Sequence, residues 1–169
     1  MLHIASNNST SSLSDIKDED VQPNACDLRL KQVFQIMNQP FYINNVSKQH
    51  RGRYEILPDN NRWRLIPGTY EIIMDGIVTV GPDEAGWVIT RSSLNRNGVF
   101  ITSGLYDSGY IGPMAGCLHV HGGELEIDVG TRVGQFLLFK AEALHKYQGS
   151  YGYTADGQAR SEQTKFDYK

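Results

Sequence analysis

The chain has little cysteine, little net charge and no long apolar run. Its two cysteines, Cys26 and Cys117, cannot build a disulfide scaffold, and a reducing cytoplasm is the expected setting. A net charge of −3 and a pI near 5.9 argue against general nucleic-acid binding, which needs a basic face. No apolar stretch approaches the ~20 residues of a membrane span, so a membrane partner is not expected. Met1 to Asp20 lack a basic region followed by an apolar core, so a secretory signal is not expected either. What remains is a chain of 169 residues, long enough to bury one core.

Helical periodicity is also scarce. Residues 1–19 contain the Ser/Asn-rich run SNNSTSSLSD and predict a flexible N-terminal arm, or one that packs on a neighbouring subunit. Residues 20–153 predict the folded domain and residues 154–169 a tail that frays from Ala159 onward. Gln32–Met37 and Phe41–Val46 suit short strands. Trp63–Ile66, a Pro67-Gly68 turn and Thr69–Met74 predict a hairpin, after which Asp75-Gly76 turns the chain again. Asp83 and Glu84 fall in a predicted loop as solvated acids, and His50-Arg51-Gly52-Arg53 reads as solvated surface. Leu125–Val129 alternates cleanly, and Val133–Phe139 reads as a central strand.

The chemistry concentrates in Arg91–Gly112, RSSLNRNGVFITSGLYDSGYIG. Arg91, Ser92, Ser93 and Arg96 gather cations and hydroxyls, and guanidinium forks grip phosphate oxygens through paired charge-assisted bonds. Asp107 sits alone in a glycine-rich turn, where a carboxylate can orient a water or a sugar hydroxyl. A competing centre follows. Cys117, His119 and His121 alternate on one strand face, as a zinc or iron site would require, with Glu124 beyond them. The spacing falls a residue short of a cupin motif, so a cupin-like metal module is the weaker alternative.

Taken together, the motifs resemble the trimeric dUTPase and dCTP deaminase superfamily. RSSL and the D-S-G-Y-I-G turn stand at the family's separation. Gln22–Leu30 (QPNACDLRL) resembles its QPxxxDLR segment, Val78–Trp87 the segment leading into RSSL, and Gly130–Gln135 (GTRVGQ) its G-x-R-x-x-Q motif. Lys146-Tyr147-Gln148-Gly149 is similar to the KYQG element of the deaminase-like branch and of archaeal-type dUTPases. The resemblance covers roughly residues 20–150. It implies a mainly β, distorted β-barrel (β-clip) subunit of a homotrimer, with sites between subunits and a pyrimidine deoxynucleoside triphosphate as ligand.

By resemblance, Arg91, Ser92, Ser93, Arg96, Gln135, Lys146 and Gln148 contact the phosphates, although Gln135 reads equally as a buried hydrogen-bonded amide. Thr102, Ser103, Tyr106, Tyr110 and Tyr147 surround base and sugar, and Asp107 serves catalysis. Magnesium rides on the phosphates, with Asp27 acting on it only indirectly, and Lys146–Tyr153 closes as a lid. The deaminases carry a glutamate five residues beyond the glycine that closes the Asp turn. Here that position is Cys117, and no acid lies between Asp107 and Glu124. The expected reaction is therefore dUTP hydrolysis to dUMP and pyrophosphate. Deamination of dCTP and silent deoxynucleotide binding stay open. The Gly-rich RGSGGFGSTG terminus of ordinary dUTPases is absent from this sequence.

Overall fold

Alternating side chains build a separate two-stranded pairing. In Arg62–Leu65 and Leu125–Asp128, Trp63 pairs with Ile127 and Leu65 with Leu125. Outside, Arg62 reaches Asp128 at 2.6 Å and Arg64 reaches Glu126 at 3.0 Å. The computed structural model describes residues 1–166. In chain order its strands are β1 (Ser12–Leu13), β2 (Cys26–Ile36), β3 (Tyr42–Ile43), β4 (Lys48–Gln49), β5 (Arg53–Glu55), β6 (Arg62–Leu65) and β7 (Gly68–Thr79). They continue as β8 (Glu84–Thr90), β9 (Val99–Thr102), β10 (Leu105–Tyr106), β11 (Ile111–Val120), β12 (Leu125–Asp128) and β13 (Arg132–Lys140). One helical turn, α1 (Ser92–Asn95), and 3-10 turns at Asp18–Asp20 and Gln163–Lys165 interrupt them.

The main sheet runs β10-β8-β13-β2-β7-β11-β9, with β1 added on β7 and β5 on β2. Its two end strands, β9 and β10, are consecutive in the chain, so the sheet curls until its ends meet. Thr90 Oγ1 accepts from Ile101 N–H at 2.7 Å and donates to its carbonyl at 3.3 Å, tying β8 to β9. Apolar side chains fill the curl, among them Leu28, Leu30, Ile72, Met74, Met114, Leu118 and Phe136, each at most 2% exposed. Burying such side chains stabilises the fold by about 1.5–3 kcal/mol apiece. The mainly β expectation holds, and the barrel is distorted because its closing seam is made by side chains.

Four local expectations fail. Trp63–Ile66 does not pair with Thr69–Met74: both edges of β7 are occupied by β2 and β11, so β6 turns to β12. Asp75-Gly76 does not reverse the chain. It is a bulge inside β7, where Gly76 takes φ +88° and the consecutive β11 residues Pro113 and Met114 face Ile77 and Met74 of β7.

Residues 1–19 are not a free arm. Ile4 is buried, Leu2 bridges to Leu138, and β1 pairs with β7 at Val78 and Thr79. At the other end, the tail folds back as far as it is described. Gln163 is 5% exposed and accepts from Gly152 N–H at 3.0 Å, while Arg160 donates to the carbonyls of Tyr153 and Gly149. The remainder of the predicted tail, residues 167–169, lies outside the described residues. No helix among the described residues is long and apolar enough to cross a membrane.

Candidate functional site

At one end of the β2–β13–β8 ladder, a buried carboxylate organises three side chains. Asp27 pairs in register with Gln135, whose Nε2 donates to Oδ1 at 3.0 Å. Arg91 Nε lies 3.5 Å from the same oxygen, and Arg132 Nη1 donates to Oδ2 at 3.3 Å. The Asp27 side chain is wholly buried, whereas Arg91 and Arg132 keep about a third of theirs in solvent, 31% and 35%. Both carboxylate oxygens are thus engaged by protein groups, Oδ1 by Gln135 and Arg91 and Oδ2 by Arg132. The place of Asp27 is to aim two guanidinium groups. A second set lies alongside: Arg29 binds Asp20 at 2.6 Å and Glu19 at 2.5 Å. Acids therefore offset much of the local positive charge.

From Arg91 the chain enters α1, where Ser92 and Ser93 are exposed, and Arg96 follows them into solvent. The sequence leaves Gln135 two roles, a buried hydrogen-bonded amide or a phosphate contact, and in the fold its amide nitrogen donates to Asp27. Arg132, within the GTRVGQ motif, stands beside Arg91 as an equal partner. Arg91 Nη1 donates to the Arg132 carbonyl at 3.4 Å.

Asp107 stands elsewhere. It follows β10 in a turn closed by Tyr110 N–H to the Asp107 carbonyl at 3.0 Å, with Gly109 at φ +82°. Its side chain is exposed and borders a cavity of about 460 Å³ shared with Ala85, Leu144, His145, Tyr147 and Gln148. Tyr147 N–H donates to the Ser108 carbonyl at 2.7 Å, so the Lys146–Gly149 segment is docked on the Asp107 turn. None of Arg91, Ser92, Ser93 or Arg96 lines that cavity. Strand β8 measures the gap: Gly86 pairs with Tyr106, and the run from Gly86 to Arg91 spans about 17 Å at ~3.3 Å per residue.

A further cavity of about 500 Å³ is lined by Thr102, Ser103, Gly116, Cys117 and its cross-strand partner Glu71, together with His50, Tyr151 and Phe166. Thr102 to Tyr110 do not form a hairpin: β9 pairs with β11 and β10 with β8, and Ser103-Gly104 crosses between them. Tyr106 and Tyr110 are core residues whose hydroxyls donate to the Ala115 and Pro113 carbonyls. Burial pushes both phenols far up, Tyr106 further through Tyr110 and Tyr110 further through Tyr147. Their rings, with Tyr147 and Tyr151, line an adjoining cavity of about 290 Å³.

His50 and Arg53 are not plain surface. His50 Nε2 meets Glu162 at 2.8 Å, and Arg53 pairs with Glu71 at 2.8 Å while lying over the Phe34 and Phe166 rings. Cys117 lines the larger cavity, and burial, aided by the Glu71 charge, raises its thiol above the usual range. His119 and His121 instead stack on Phe100, at 4.8 and 5.3 Å between ring centroids. Among the described residues no group of three His, Cys, Asp or Glu side chains is arranged to hold a metal ion.

A family profile for dCTP deaminase-like domains matches residues 3–141. A probable deoxyuridine 5'-triphosphate nucleotidohydrolase of Halobacterium salinarum is 31% identical over 142 residues, covering 80% of this chain and 85% of that protein. A dUMP-forming dCTP deaminase of Salinispora tropica is 28% identical over 148 residues, covering 82% and 77%. Among solved structures, the 2'-deoxycytidine 5'-triphosphate deaminase of Agrobacterium tumefaciens superposes with a TM-score of 0.61 at 17% identity, over 80% of this chain and 44% of that one. That likeness is one of fold. The matched stretch takes in the N-terminal segment, the Asp27 cluster, the RSSL turn and the Asp107 turn, and the chain belongs to the dCTP deaminase-like family of the dUTPase and dCTP deaminase superfamily.

Proposed function

We propose that the protein is a dUTP diphosphatase, acting as a homotrimer whose sites form between subunits. The observation that carries the choice of reaction is the large cavity beside Thr102 and Ser103. It presents Cys117 where a deaminase would present a carboxylate, and burial keeps that thiol protonated. A protonated thiol cannot take the proton of a water attacking the pyrimidine. Glu71 also lines this cavity, but Arg53 holds its carboxylate in a 2.8 Å ion pair. The relatives named as dUTP nucleotidohydrolases support the same choice.

In this reading Arg91, Ser92, Ser93 and Arg96 grip the triphosphate, and Arg132 joins them from beside Arg91. Asp107 orients the water that attacks the α-phosphorus, and the α–β bond breaks to release pyrophosphate. Thr102 and Ser103 border the pyrimidine pocket. Tyr147 covers the nucleotide, while Lys146 and Gln148 add phosphate contacts as their segment closes. The ~17 Å between the Arg91 end and the Asp107 turn within one chain favours a site completed by a second copy.

Among the described residues the carboxylates form no cage, but the exposed Asp107 and the serines leave room for a hydrated ion carried by the triphosphate. Magnesium needs only one or two protein ligands when substrate phosphates supply the others. Bound there, it would neutralise charge developing on the phosphate oxygens.

The deciding experiment incubates the protein with dUTP and dCTP separately, with and without magnesium, and resolves nucleotide products and ammonia. Magnesium-dependent dUMP and pyrophosphate are expected. Ammonia from dCTP would overturn the choice of reaction, and binding without turnover would make the protein a deoxynucleotide-binding regulator.

A further inference from the structure

Ser9-Thr10-Ser11 and Glu84 are far apart in sequence, and the phosphate chemistry uses neither. In the fold they meet. Glu84, expected in a solvated loop, opens β8 at 4% exposure. Its Oε1 accepts from Thr10 N–H at 2.9 Å and from Thr10 Oγ1 at 3.2 Å. Its Oε2 accepts from Ser9 Oγ at 2.9 Å, from Ser11 N–H at 3.1 Å and from the Ser11 hydroxyl. Ser11 Oγ in turn accepts from Gly81 N–H at 2.9 Å. Every lone-pair direction of the carboxylate is engaged, and the donors come from one short segment. Charge-assisted bonds of this kind are the strong ones.

The main chain of the same 80–84 loop holds the turn that bears Asp107. Ser108 Oγ donates to the Glu84 carbonyl at 2.6 Å. Gly109 N–H donates to the Val80 carbonyl and Val80 N–H to the Tyr110 carbonyl, both at 2.9 Å. Ala141 N–H donates to the Asp83 carbonyl at 3.0 Å, so the start of the Lys146 segment hangs from the same loop. An acid that merely anchored the N-terminal segment would not need to touch the turn. Glu84 does both, through its side chain on one face and its carbonyl on the other.

We infer that Glu84 is a positioning residue: clamped by Ser9, Thr10 and Ser11, it fixes the 80–84 loop and, through Ser108 and Gly109, the placement of Asp107. Its kinetic consequence rests on the dUTP diphosphatase reading. The N-terminal segment thereby becomes part of the catalytic architecture of its own subunit. Burial opposes the charge on Glu84, but the Ser11, Thr10 and Ser9 donors outweigh it and hold the carboxyl below its usual range. The clamp is therefore ionised at neutral pH.

The test uses the full chain with Glu84→Gln, which sets an amide NH2 against donors, and with Ser11→Ala as the milder variant. Steady-state kinetics on dUTP are paired with hydrogen exchange at the Gly109 and Tyr110 amides, taking β2 and β7 amides as the reference. Because a misplacement of ~1 Å costs up to about a hundredfold, kcat should fall at least about tenfold with KM within about twofold. Exchange at Gly109 and Tyr110 should quicken while β2 and β7 stay protected. Unchanged exchange at the turn in both variants overturns the inference, and so does protection lost equally across β2 and β7 in both. Faster turn exchange with kcat unchanged also overturns it. If the unmodified protein leaves dUTP intact, the diphosphatase reading has failed, and the exchange measurement alone decides the role of Glu84.

Discussion

Asp27 and Arg91 face each other at 3.5 Å, the carboxylate wholly buried and the guanidinium 31% exposed. The asymmetry defines what each contributes. A buried carboxylate is tolerated only with its oxygens satisfied, and here Arg91, Arg132 and Gln135 satisfy them. Asp27→Asn would keep the shape and remove the charge that aligns both arginines. Breaking a buried pair costs about 3–5 kcal/mol, but these guanidinium groups can regain water. The expected loss is therefore about 1–3 kcal/mol, read as a lower urea midpoint with unchanged slope.

Arg91→Ala removes the cation without burying an orphan, since Asp27 keeps Arg132 and Gln135. Affinity for a non-hydrolysable dUTP analogue should fall by at least about 1.5 kcal/mol, the strength of one charge-assisted bond. Calorimetric titration measures it, and an unchanged Kd would detach Arg91 from the phosphates.

Asp107 is exposed and sits at a turn held by main-chain bonds, so its substitution should leave the fold intact. Asp107→Asn is expected to reduce dUTP turnover by about a hundredfold or more while the analogue still binds. Residual activity near that of the parent would remove Asp107 from the reaction.

Glu84 and Asp20 both have carboxyls held below their usual range. Burial opposes this in each case and is outweighed, by the Ser11, Thr10 and Ser9 donors at Glu84 and by Arg29 at Asp20. A depressed folded-state value stabilises above the unfolded pKa and is lost as pH falls through the folded value. The melting temperature should therefore hold from neutral pH to about 5 and decline below about 4, where unfolded carboxyls begin to take up protons. Ser11→Ala should show a shallower decline, because it weakens the Glu84 clamp.

The two thiols should differ in access and agree in sluggishness. Cys26 is fully buried, and burial together with Asp20 and Asp27 pushes its thiol up to about 11. Cys117 is half-buried in the larger cavity, and burial with Glu71 raises it too. Near pH 8, iodoacetamide should leave Cys26 untouched and label Cys117 at least about tenfold more slowly than a free thiol, since the thiolate is the nucleophile. Mass spectrometry of tryptic peptides distinguishes them.

Period-two alternation in Arg62–Leu65 and Leu125–Asp128 was enough to identify both strands, because one face of each meets the core. It could not supply the pairing. Trp63 lies five residues before Gly68, yet its partner is Ile127, because β7 is enclosed by β2 and β11. Asp75-Gly76 misled for a related reason: a glycine that permits positive φ serves a bulge as well as a turn.

By itself, the sequence determined the β character, the family motifs in their order, and the chemical types available at Arg91, Ser92, Ser93 and Asp107. Those are properties of local pattern and residue identity. Only the tertiary structure decided that Asp27 spends its charge on Arg91 and Arg132, that Arg53 holds Glu71, and that Glu84 is a buried clamp. It also folded residues 1–19 and the described part of the tail onto the body. The reason is physical: a hydroxyl, a guanidinium or a carboxylate reads as solvated until long-range contacts remove its water. Those contacts join residues as distant as Ser11 and Glu84, or His50 and Glu162, beyond the reach of any local pattern.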